Sequence, residues 1–112
     1  MKYVNRCLVI VKPKQPYIDW VNSVEEGDPL LDLEKARADL NTYLIKEFDE
    51  TEMAGKYVEK VYADIFENEL LDWYTAPELW PQKRDLRMFR KWFDIEIHLS
   101  VLELGKGDII AE

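Results

Sequence analysis

One cysteine and one histidine are the scarcest chemistry-bearing residues of this 112-residue chain. Cys7 alone cannot close an internal disulfide, so nothing calls for an oxidising compartment. Its place in the run Cys7-Leu8-Val9-Ile10-Val11 reads as a small buried thiol. A solitary histidine excludes a His-rich metal centre, and without a cysteine pair there is no thiolate zinc site; neither metal nor cofactor is expected. The four glycines supply no phosphate-cradling loop, because Gly105-Lys106-Gly107 is not followed by the helix that such a loop opens. A serine hydrolase would have only His98 as base, and Ser100, on the same strand face, lies about 7 Å from it by strand rise, too far for a direct hydrogen bond. Long apolar runs are missing as well. The stretch Cys7–Val11 is too short for a signal-peptide core or a membrane span, so the expected location is cytoplasmic. Positive charge is also short, with 15 Lys and Arg against 23 Asp and Glu, a net charge of −8. That balance opposes attraction to phosphate backbones and anionic membranes, so neither nucleic acid nor membrane is an expected partner.

Apolar side chains are plentiful: 47% of residues are hydrophobic, including four Trp, six Tyr and four Phe. A chain of this length with that content forms one compact domain, 1–112, with a real core. Residues 6–12 are apolar on both alternating sets, which predicts a central strand covered on both faces. Pro13 and Pro16 break it, and Tyr17, Trp20, Val21 and Val24 recur at helical spacing, predicting a helix of about two turns. Gly27 and Asp28-Pro29 form a turn before a short, partly irregular helix over 30–40. Residues 42–48, Thr-Tyr-Leu-Ile-Lys-Glu-Phe, read as a second strand. Asp49 with Glu52 matches a capping box and opens the main helix, which is free of proline to Tyr74. Thr75 with Glu78 offers a second box, and Pro81 restarts a helix running to Phe93. Residues 94–101 alternate strictly, Ile95, Ile97, Leu99 and Val101 against Glu96, His98 and Ser100, as a half-exposed strand does. Asp108–Ala111 is a candidate final strand.

The order predicts an α+β fold: a single small mixed or antiparallel sheet of three to four strands, with helices packed mainly on one face. No internal repeat or motif ties the sequence to a known function.

Three groups of residues are candidates for a site. On the main helix, Glu69 projects from the apolar face at 100° per residue and Asp72 from its edge. Buried carboxylates must be paired, neutralised or hydrogen-bonded, and the expected partner of Glu69 is a basic side chain, with Arg84 and Arg87 on the following helix at hand, or a buried tyrosine hydroxyl. Together the acids and arginines would give a binder or enzyme for a small anionic or carbonyl substrate, with an acid/base and an anchor. The second group is the aromatic and basic stretch 73–93. Residues 83–91 hold five basic residues and one acidic, a local +4 in a chain of −8. Trp80, Met88, Trp92, Arg90 and Lys91 form a candidate interface, since aromatics and arginines are the residues interfaces favour. Met88 and Trp92 point well away from the Leu86/Phe89/Phe93 stripe, so something other than the sheet beneath that stripe should cover Trp92. The third is the turn Lys12, Lys14 and Gln15 at a helix start, a candidate anion site weakened by the two prolines. The leading expectation is a small interaction or accessory protein with a protein partner or a second copy as a homodimer. The sequence leans away from an enzyme without deciding the matter.

Overall fold

The structure, a computed structural model, describes residues 1–111. In chain order the elements are β1 (Lys2–Tyr3), β2 (Arg6–Pro13), α1 (Gln15–Ser23), α2 (Leu33–Ala38), β3 (Thr42–Lys46), α3 (Thr51–Leu71), a 3₁₀ turn (Pro77–Leu79), α4 (Leu86–Trp92), β4 (Phe93–His98) and β5 (Leu102–Glu103). β2 is the central strand of a three-stranded sheet of order β3-β2-β4, antiparallel throughout. Leu8 sits opposite Leu44 on one side and His98 on the other. The helices lie on one face, as the alternation of the third strand requires.

That arrangement corrects one expectation about β2. Cys7, Val9 and Val11 are fully buried under the helices, but Leu8, Ile10 and Lys12 on the other face are only half-buried. Being central in the sheet, rather than lying between two layers, is what keeps them apolar: Leu8 and Ile10 meet neighbours on both flanking strands.

The core is an aromatic stack. Phe66 of α3 packs on Phe89, Trp92 and Phe93 with ring centroids 5.5 to 5.7 Å apart, and Tyr17 of α1 closes on Phe93 at 5.1 Å. Offset and edge-on pairs of this kind each add about 0.5–1.5 kcal/mol beyond their buried area. α1 starts where Pro16 tolerates the first turn, and Tyr17, Ile18 and Val21 are its buried face.

Helix boundaries depart from the sequence reading in three places. Glu50, not Asp49, precedes α3, and neither that helix nor the 3₁₀ turn after Ala76 has a side-chain cap. α3 stops at Leu71, which leaves Trp73 exposed. The helix expected from Pro81 to Phe93 is only α4, because the side chain of Asp85 accepts from the Met88 amide at 2.8 Å and begins the helix there. Lys83 and Arg84 therefore lie in the preceding irregular segment.

The last strand also ends early, at His98, and β1 pairs with β5 in a separate two-stranded ribbon. No strand forms at Asp108–Ala111. The ribbon lengthens the molecule to 48 × 29 × 24 Å, with a radius of gyration of 15.7 Å against about 13 Å for a compact chain of this size.

Candidate functional site

The 100° steps of α3 put Glu67 and Glu69 on opposite sides of the helix, and the structure uses them oppositely. Glu69 faces the sheet and is 5% exposed. Its Oε2 accepts from the Tyr43 hydroxyl at 2.5 Å and from Asn41 Nδ2 at 2.7 Å. The same Asn41 amide donates to Asp72 Oδ2, and Asn68 Nδ2 donates to the Tyr43 oxygen at 2.9 Å. Tyr17 donates its hydroxyl to the Glu69 backbone carbonyl. Burial raises the Glu69 pKa above the ordinary glutamate value; the bonds from Tyr43 and Asn41 pull it down, and Asp72 pushes it up again. Burial also raises Tyr17 and Tyr43, so both stay protonated donors. A cleft of about 140 Å³ opens beside Glu69, with Asp72, Asp39 and Lys35 among its lining residues.

Of the two kinds of partner expected for Glu69, the structure supplies the tyrosine hydroxyl, and Arg84 and Arg87 are not part of this site. Arg84 reaches Glu67 at 3.4 Å, donates to the Pro81 carbonyl and stacks over Trp80. Arg87 makes no ion pair among the described residues. The cleft lining therefore carries Glu69, Asp72 and Asp39 against Lys35, and neither arginine.

The aromatic stretch is drawn largely into the fold. Trp92 is half-buried and packs on Phe66, on Trp20 at 6.0 Å and on Tyr17 at 6.2 Å. The cover it needs comes from α1 of its own chain. Trp80 donates Nε1–H to the Tyr74 carbonyl at 2.7 Å, and Trp20 does the same to Leu79 at 3.1 Å. Met88 is half-buried against the core. Arg90 pairs with Glu59 across to α3, while Lys91 is exposed and makes no ion pair among the described residues.

Comparisons with family models, curated proteins and solved structures returned no match to this chain.

The turn at Lys12, Lys14 and Gln15 is occupied by the chain's own groups. Lys12 pairs with Glu96 at 3.2 Å and Lys14 with Asp94 at 3.5 Å, while Gln15 donates to Asp19. His98 bonds Glu96 at 2.9 Å, not Ser100.

A second concavity was not foreseen. Between α3, α4 and β4 runs a groove of about 350 Å³ lined by Val58, Leu86, Phe89, Phe93, Ile95 and Ile97, with Glu59, Arg90 and Asp94 also contributing. β4 is an edge strand, and its side away from β2 has no backbone partner among the described residues. Gly55 lies in the lining. This glycine sits in the interior of α3, where glycine costs about 1 kcal/mol relative to alanine. Neither reason that usually fixes a glycine applies: its φ is not positive, and a Cβ built there meets nothing within 4 Å. The sequence signal was available, since Gly55 is the only glycine in the long helical stretch.

Proposed function

We propose that this protein is an interaction module that receives an extended peptide segment of a partner along β4. The observation carrying the reading is the unpaired edge of β4 beside an apolar groove with Gly55 in its lining. A strand added to that edge gains main-chain hydrogen bonds, and every second side chain enters the groove, so the fit is for alternating apolar residues. Leu86, Phe89, Arg90 and Phe93 belong to the 73–93 stretch, so the recognition surface lies partly within it. The groove holds no group arranged for chemistry, which favours binding over catalysis.

The test is a titration with a blocked hexapeptide alternating valine and threonine, followed by amide spectra. The β4 amides 93–98 should shift and gain exchange protection. Gly55→Leu fills the groove from a position with free space and replaces a poor helix former with a good one, so it should abolish binding while leaving the fold equally or more stable. Binding undiminished by Gly55→Leu, or shifts that avoid β4, would refute the assignment.

A second copy can be the partner. Ile109 and Ile110 are 72% and 81% exposed in the segment whose sequence reads as a strand, which is the kind of peptide the groove fits. Sedimentation at micromolar concentration distinguishes this case: a 13.4 kDa species alone removes it.

A further inference from the structure

The cleft beside Glu69 is a separate site with different chemistry, and we propose that it binds a primary ammonium group carried on a short alkyl stem. Both side-chain bonds to Glu69 end on Oε2. No fully buried side-chain oxygen among the described residues lacks a partner, so the unbonded Oε1 must retain access to the cleft that the residue lines. Asp72 likewise uses Oδ2 for Asn41 and keeps Oδ1 free. Asp39 lines the same cleft.

A carboxylate that is only 5% exposed must be protonated, hydrogen-bonded or matched by a cation; for Glu69 the side-chain hydrogen bonds reach Oε2 alone, and a cation would complete Oε1. The chain supplies none: no lysine or arginine pairs with Glu69, Asp72 or Asp39 among the described residues. Lys35, the cation that lines the cleft, is exposed and makes no such pair. Asn41 gives its one amide group to both acids, which holds the two carboxylates together and leaves their other oxygens without a side-chain partner.

The walls choose among cations. Val11, Pro13, Leu31 and Leu40 are apolar lining that suits methylene groups rather than a hydrated ion. No cluster of three or more His, Cys, Asp or Glu suited to a metal ion occurs among the described residues. The volume of about 140 Å³ equals roughly five waters at about 30 Å³ each, which fits an ammonium with a stem of a few carbons. An ammonium has three donors and no acceptor, matching the free carboxylate oxygens of Glu69 and Asp72. The same chemistry comes from a free alkylamine or from the lysine side chain of a partner, and the test separates them.

Amide and side-chain spectra are recorded while n-butylammonium, 1-butanol or Nα-acetyl-lysine-N-methylamide is added at millimolar concentration. The butylammonium ion should shift the Asn41 side-chain amide and residues 69–73, and the uncharged, similarly shaped alcohol should not. Asp72 is exposed, so Asp72→Asn should fold normally and weaken the amine about tenfold or more; Glu69→Gln should do the same. If the lysine derivative binds at least as well as butylammonium, the natural source is a protein lysine; if it is excluded, the source is a free amine. Equal shifts with the alcohol, no shift with any amine, or affinity unchanged in both Asp72→Asn and Glu69→Gln overturns the proposal.

Discussion

Tyr43→Phe isolates the interaction that ties α3 to the edge strand β3. The substitution keeps a half-buried ring and deletes only the hydroxyl that donates to Glu69 Oε2 and accepts from Asn68. Asn68 is exposed, so water replaces its lost acceptor. Glu69 cannot recover as easily, because its remaining partner is Asn41. A hydrogen bond to a charged acceptor is worth about 1.5–3 kcal/mol, and access of Oε1 to the cleft tempers the loss, so about 2 kcal/mol is expected from urea unfolding near neutral pH. The effect depends on pH through Glu69. Its folded pKa is raised above the ordinary glutamate value, chiefly by burial. Between those two values the folded state holds more protons than the unfolded chain, so this group's stabilisation is complete at acid pH and declines as pH rises through the window. Tyr43→Phe removes an influence that lowers the folded pKa, so the window extends further upward and the cost is largest above it. In acid, where Glu69 is protonated in both proteins, the cost falls toward that of a neutral hydrogen bond, about 1 kcal/mol. Glu69→Gln flattens the dependence, and Tyr43→Phe should cost less in that background than in the wild type. A cost below about 0.5 kcal/mol at neutral pH, or the same cost with and without Glu69, would refute the account.

Trp92→Ala should destabilise by about 3 kcal/mol or more, measured by chemical denaturation, since its ring contacts Phe66, Trp20 and Tyr17 within the chain. Asp85→Ala removes the bond to the Met88 amide and should cost about 1 kcal/mol, with Asp85→Ser recovering most of it.

The strands and the long helix were legible because their periods are strong over many residues. β4 alternates through Ile95 and Ile97, and α3 repeats Ala54, Val58, Ile65 and Phe66 at helical spacing. Glu69 stood out for the same reason, as an acid within an apolar pattern. A tyrosine hydroxyl was one of the two kinds of partner expected for it, but nothing in the sequence said which tyrosine. Sequence nearness favoured the arginines of 83–91, but Tyr43 and Asn41 come from a segment across the sheet, and no local rule encodes that pairing. What covers Trp92 was not legible either, because the angle on one helix fixes where a side chain points and not which distant helix meets it; α1 does so through Tyr17 and Trp20. The groove was invisible until β4 proved to be an edge strand.

The central position of β2 orders the events of biosynthesis. Pairing of Leu8 with His98 spans ninety residues, and contacts of such long range make folding slow. As the chain leaves the ribosome, its most apolar strand emerges first, and its β3 edge is closed after residue 46. Its other edge stays open until residue 98 has appeared. During that interval Cys7, Val9 and Val11 lie on a two-stranded β2–β3 pair, which is marginal in water by itself. Residues through His98 must therefore be made before the sheet is safe from intermolecular pairing.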